Sequence, residues 1–186
     1  MSKEVVIYKS KYGATKKYAQ WISDELKSDI FEVKMVSTNS LKEYDTIIFG
    51  GGLYAGGVNG LSFITKNYEL IKNKNIIVFT CGLADPFVDE NVKSICKGLD
   101  KVFSSEMKSK IKVFHLRGGM DYGELGLSHK LMMSMVHKMV AKKDKESLSD
   151  EDKNMLETYG ESVDFTDKGT IAPIISLIKE INNGNA

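Results

Sequence analysis

Val5-Val6-Ile7-Tyr8-Lys9-Ser10-Lys11-Tyr12-Gly13-Ala14-Thr15 joins a short apolar run to a pattern in which Ala14, Tyr18, Ile22 and Leu26 recur every four residues. The first part reads as a buried strand, Glu4 to Tyr8, and the second as a helix, Ala14 to Lys27. A strand running into a helix start leaves several backbone N–H groups without intrahelical acceptors. It also aims the positive end of the helix dipole at the gap. Ser10 and Thr15 add hydroxyls, and Gly13 lets the backbone turn tightly with no Cβ in the way. Such a junction is an anion site, and Ser10, Lys11, Tyr12, Gly13, Ala14 and Thr15 are its candidate residues. An ordinary helix start with no ligand is the plainer alternative.

The loop also discriminates among phosphates. No Lys-Ser/Thr pair follows a G-x-x-x-x-G, which argues against a nucleoside triphosphate, and no G-x-G-x-x-G follows the first strand, which argues against a dinucleotide. A compact hydroxyl-rich loop with one glycine suits a single terminal phosphate, as in FMN.

Outward from this junction, strand and helix patterns alternate. Phe31 to Val36 reads as a more exposed strand. Thr46 to Phe49 reads as a buried one, leading into a glycine-rich loop from Gly50 to Gly60. A helix from about Leu61 to Lys72, a strand Ile76 to Thr80, a helix from about Val88 to Met107 and a fifth strand Lys112 to Leu116 follow. Short apolar runs without helical period, each followed by a helix, predict a doubly wound five-stranded parallel α/β sheet with helices on both faces. Its ligand loops lie at the carboxyl ends of the strands, where the strand order reverses.

Residues 117–170 exceed what that sheet needs. They predict an inserted helical segment near residues 120–160, with a helix over Leu127 to Val140 and a helix start at Ser149 with Asp152. A closing helix, with Thr170 as candidate cap, sets Ile171, Ile174, Ile175, Ile178 and Ile181 on one face. Pro173 is tolerable there only in the first turn.

The 186 residues, 42% hydrophobic, fit a single domain spanning 1–186. Cys81 and Cys96 are too few for a disulfide framework and lack C-x-x-C spacing, so a reducing cytoplasm is expected. No signal-peptide pattern and no spanning run is present in this sequence. His115, His129 and His137 lack metal-ligand spacing, so no metal is expected. Acidic positions where a phospho-receiver domain would bind magnesium are occupied by Lys9 and Ser10, which argues against that class.

Ser10, Gly13 and Thr15 match at the spacing of Ser/Thr-x-Thr-Gly-x-Thr, and the chain therefore resembles the flavodoxins over roughly residues 1–120. Tyr12 departs from that pattern, standing where the family has a short hydroxyl residue. The resemblance implies a flavodoxin-like fold and bound FMN, with the second and third loops flanking its ring. Gly52, Leu53, Tyr54, Ala55 and Gly56 would form one wall, with Tyr54 a stacking residue or a loop aromatic packed on its own glycines. Backbone groups of Thr80, Cys81, Gly82 and Leu83 would border the pyrimidine edge, Cys81 itself reading as a small buried residue. Gly118 and Gly119 would turn the chain so that Tyr122 reaches the ring or wedges the insertion.

The Gly118-Gly119 pair, the insertion and the Leu/Met-rich helix with basic ends are similar to the menaquinone-dependent protoporphyrinogen oxidases. That resemblance implies an FMN-dependent oxidoreductase passing hydride equivalents from a porphyrinogen to a quinone; it identifies no catalytic side chain. A one-electron carrier serving a redox partner protein is the alternative. The net charge of +1 speaks against it, since such carriers are usually strongly acidic. A flavin-free phosphate- or partner-binding module is the third reading. No nucleic-acid partner is expected. Met132, Met133, Met135 and Met139, with Lys130, Lys138, Lys142 and Lys143, form either core packing or a soft surface for a greasy substrate or peripheral membrane contact.

Overall fold

Strand β1 (Glu4–Lys9) and helix α1 (Ala14–Leu26) bracket the decisive loop. The computed structural model describes residues 3–54, 57–148 and 150–184. Then come β2 (Asp29–Glu32), β3 (Thr46–Tyr54), β4 (Gly57–Val58), α2 (Ser62–Lys66), α3 (Tyr68–Ile71), β5 (Asn75–Gly82), α4 (Asp89–Asp100), α5 (Ser105–Lys110) and β6 (Lys112–Arg117). The insertion contributes β7 (Gly119–Asp121), α6 (Leu127–Val140), α7 (Asp150–Thr158) and β8 (Ser162–Asp164), and α8 (Ala172–Asn182) closes the chain.

Five parallel strands lie in the order β2-β1-β3-β5-β6, with β4 paired antiparallel to β3. The order reverses between β1 and β3, so the crevice for a ligand opens at their carboxyl ends. The apolar runs are continuous because successive residues serve opposite faces. Val5, Ile7, Ile47, Phe49, Ile76 and Val78 pack with Leu41, Ile64, Ile71 and Leu99 on one face. Val6, Ile48, Ile77 and Phe79 pack with Tyr18, Ile22, Ile174 and Ile178 of α1 and α8 on the other. Each such buried side chain contributes about 1.5–3 kcal/mol. The doubly wound α/β reading therefore holds.

Several boundaries differ from the sequence expectation. The exposed strand ends at Glu32, and Val33–Met35 is a 3-10 turn, because alternation alone does not distinguish a half-buried strand from a turn that puts every other side chain inward. The helix expected over residues 61–72 is two short ones, α2 and α3, meeting at Asn67, whose side chain donates to the Phe63 carbonyl. The helix expected over 88–107 breaks after Asp100, and Ser104 caps α5 by accepting from the Met107 amide. Thr170 does not cap the closing helix. Asp167 accepts from the Gly169 amide at the head of a 3-10 turn, Lys168–Ile171, that leads into α8, and Pro173 sits in the first turn.

The chain divides into two compact units, Met1–Gly118 with Thr166–Ala186, and Gly119–Phe165. The second contains an antiparallel β7-β8 pair as well as helices, an element that three-residue strands do not announce in sequence. Tyr122 meets Tyr159 edge-on at 5.2 Å, and His137 stacks on the same tyrosine at 4.0 Å. The expected helix start at Ser149 lies outside the described residues, and Asp152 accepts from Lys143 at 2.8 Å.

Candidate functional site

Gly13 stands at the N-terminus of α1 with φ 92°, a conformation that only glycine adopts without strain, and an added Cβ would meet open space. Its amide donates to Ser10 Oγ at 3.1 Å, so Ser10 braces the loop and keeps its own hydroxyl proton to donate outward. The first helical bond runs from the Lys17 amide to the Gly13 carbonyl at 2.9 Å. The amides of Ala14, Thr15 and Lys16 therefore open the helix without intrahelical acceptors, no side chain caps them, and no acidic residue lies in the first turn. Thr15 is buried beneath them. Uncapped amides at a helix N-terminus are the kind of donor set that anions use.

Two aromatics border the loop. Tyr12 and Tyr54 meet edge-to-face at 6.0 Å, and Lys11 Nζ lies 5.4 Å from the Tyr12 ring centre. Burial pushes the Tyr54 hydroxyl up to about 12, with Tyr12 and Cys81 nearby and the Lys11 backbone bonded to it. The ring folds back over Gly52, where an added Cβ would fall 2.9 Å from Tyr54 Cε2.

Gly50 through Tyr54 form strand, not the expected loop: β3 continues through them and pairs with β4, Leu53 opposite Val58 and Tyr54 opposite Gly57. The glycines admit neighbouring side chains. A Cβ on Gly50 would sit 2.1 Å from Phe79 Cζ. Ala55 and Gly56, expected along the ring, lie outside the described residues.

Thr80, Cys81 and Gly82 belong to β5 and are in register with β3 or β6, so the strand ladder already engages this stretch of backbone. Thr80 Oγ1 lies 2.8 Å from His115 Nδ1, whose pKa burial lowers, and Cys81 packs in the core as a small apolar residue. Leu83 begins the loop proper. Arg117 pins it, donating from Nε to the Leu83 carbonyl at 3.2 Å and from Nη1 to Asp85 Oδ2 at 3.1 Å. Gly118 donates to the Gly82 carbonyl at 2.6 Å, and a Cβ there would lie 2.8 Å from Cys81 Sγ and 3.4 Å from Ala14 Cβ. The ends of β5 and β6 thus close onto the start of α1 through small residues. Gly119 and Tyr122 belong to the second unit, Gly119 paired with Asp164 and Tyr122 against Tyr159.

Sequence reasoning missed three supports. Beside the Arg117 clamp, the buried Tyr18 hydroxyl donates to the Arg117 carbonyl at 2.7 Å and accepts from the Asp167 amide at 3.0 Å. Lys17 Nζ donates to Thr166 Oγ1 at 2.7 Å. Partners from 32 to 149 positions apart leave no local signal; only the alternation of units hinted that α1 would lie beside the end of β6. Among the described residues no cluster of His, Cys, Asp and Glu could hold a metal ion. No described helix is long and apolar enough to cross a membrane.

A family model described as flavodoxin domain matches residues 5–147. An uncharacterized protein of Methanocaldococcus jannaschii is 32% identical over 112 residues, 59% of this chain and 66% of that protein, so the chain spans just under two thirds of that relative. Among solved structures, a flavoprotein in complex with FMN from Lactobacillus acidophilus is 16% identical with a TM-score of 0.42, over 63% of this chain and 93% of that one. Oxidised flavodoxin 2 from Bacillus cereus is 20% identical with a TM-score of 0.41, over 62% and 86%. With the strand order and a family model covering the first loop, the sheet and most of the insertion, the chain belongs to the flavodoxin domain family.

Proposed function

We propose that the protein is an FMN-binding redox protein whose first loop holds the cofactor phosphate. The supporting observation is the α1 N-terminus: three first-turn amides without a side-chain cap, beside Gly13 in an open left-handed turn, at the strand-order reversal. When bound, FMN supplies the electron- and hydride-accepting ring. The amides of Ala14, Thr15 and Lys16 donate to the phosphate, and the Ser10 and Thr15 hydroxyls add two donors. Tyr12 and Tyr54 supply aromatic surface beside the loop, and Arg117 keeps the Leu83–Asp85 turn in place. Tyr54 stays a neutral phenol across the physiological range because burial disfavours its anion.

The quinone-linked oxidation of a porphyrinogen is the finer form of this reading, supported by the position of the insertion directly after β6. Two experiments divide the possibilities. Thr15→Val combined with Ser10→Ala weakens FMN by about tenfold or more, the scale of one charge-assisted hydrogen bond, and leaves riboflavin unchanged. Flavin fluorescence titration reads both affinities; equal losses for the two ligands place the phosphate elsewhere. Anaerobically reduced holoprotein is then mixed separately with a quinone and with a one-electron protein acceptor. Fast turnover of porphyrinogen with the quinone supports the oxidase, and fast transfer to the protein acceptor alone supports the carrier.

A further inference from the structure

Three side chains on one face of the sheet form a relay that ends in an exposed sulfur. His115 of β6 stands beside Thr80 of β5 in the parallel ladder, and Thr80 Oγ1 lies 2.8 Å from His115 Nδ1. The other ring nitrogen, Nε2, lies 3.8 Å from Sγ of Cys96 on α4. Thr80 is fully buried, whereas Cys96 is exposed. Burial lowers the His115 pKa, so the ring stands as a neutral base at neutral pH. When the threonine oxygen accepts from Nδ1–H, the Nε2 lone pair is left for the thiol proton. An open nucleophile, a base within reach of it and a third group orienting that base together make the arrangement that activates a cysteine.

We propose that Cys96 is a site of reversible thiolation, taking one half of a low-molecular-weight disulfide, with His115 as its base and Thr80 as the residue that positions the base. As the Cys96 sulfur attacks one sulfur of the disulfide, its proton passes to His115 Nε2. The S–S bond of the disulfide breaks, and the departing thiolate takes that proton. The Cys96 sulfur is oxidised and the departing half is reduced, so no further oxidant enters. The mixed disulfide persists because the chain has one other cysteine, and that one cannot displace it. Cys81 is buried in the layer against α1 and α8, whereas α4 covers the opposite face of the sheet. The proposal is independent of the flavin reading.

The test incubates the full chain with oxidised glutathione at neutral pH and follows the mass of the intact protein, with peptide mapping to locate the added group. A single glutathionyl group enters, on Cys96, and dithiothreitol removes it. Cys96 reacts faster in the folded chain than in the urea-unfolded one, where no base is held beside it. His115→Gln lowers the folded rate by about tenfold or more, since a positioned base contributes at least that much. Thr80→Val lowers it severalfold, and Thr80→Ser, which keeps the hydroxyl, restores it; circular dichroism checks that each variant is folded. If His115→Gln does not fold, the two Thr80 variants decide. Modification of Cys81 ahead of Cys96 overturns the proposal, as does a folded rate no higher than the unfolded one. So does a rate that His115→Gln leaves unchanged in a folded variant, or Thr80→Ser as slow as Thr80→Val.

Discussion

In the first unit the apolar runs at the middle of the three central strands, Val5 to Ile7, Ile47 to Phe49 and Ile76 to Phe79, are buried, half against α1 and α8 and half against the helices of the other face. In the second, short strands and two helices gather around a tyrosine pair and a stacked histidine, and the longest helix leaves leucines and methionines in water. The difference follows from layering. The helices that connect parallel strands lie over both faces of the sheet, so its apolar residues point into a covered layer on either side. A short insertion has too little surface of its own to cover a helix on all sides.

Substitutions can break this contrast. The largest effect is expected from Gly50→Val, where the new side chain collides with the Phe79 ring held between two strands. A loss of about 3 kcal/mol or more is expected from urea unfolding, the upper range for overpacking. A loss under 1 kcal/mol would mean the first unit is as compliant as the second.

Tyr18→Phe removes the hydroxyl that serves both the Arg117 carbonyl and the Asp167 amide. Stability falls by about 1–3 kcal/mol. The Asp167 amide exchanges hydrogen faster, because its acceptor is gone. Unchanged exchange there would detach the two ends of the first unit from α1.

His115 provides the pH test. Burial lowers its pKa below the usual 6.5, so the unfolded chain takes up a proton first as pH falls. The stability this neutral side chain permits is complete above pH 6.5 and is lost as pH drops through that value toward the folded pKa. His115→Gln flattens the slope below pH 6.5 relative to the unsubstituted protein. Parallel slopes in denaturant titrations would show that the ring is solvated when folded.

The smallest effect is expected on α6. Leu131→Gln changes stability by no more than about 0.5 kcal/mol, as for other exposed positions, measured alongside Gly50→Val. A loss comparable to that of a core residue would show the stripe is covered within the protein.

The legible parts of the sequence were those with local causes. Ala14 as a helix start, Gly13 as a turn, and Ile76 to Thr80 as a buried strand each follow from residues within a turn or two of themselves. Gly50 to Tyr54, expected in a loop, form strand for the opposite reason. Glycines that make room for Phe79 and Tyr54 look the same in sequence as glycines that make room for a cofactor. Of the candidate site, the glycine turn at the head of α1 was readable in sequence and the support of the loop after β5 was not, since Arg117, Asp85 and Leu83 come together only across paired strands.

By itself, then, the chain determined its alternation of apolar runs and helices, the glycine turn at Ser10–Thr15 and the family pattern, because hydrophobic period, glycine conformation and helix-end donors act over a few residues. Tertiary structure alone decided that Tyr54 leans on Tyr12, that Arg117 holds the loop after β5, and which side of α6 faces water. Those outcomes depend on which distant surfaces meet, and spacing along a chain does not encode that.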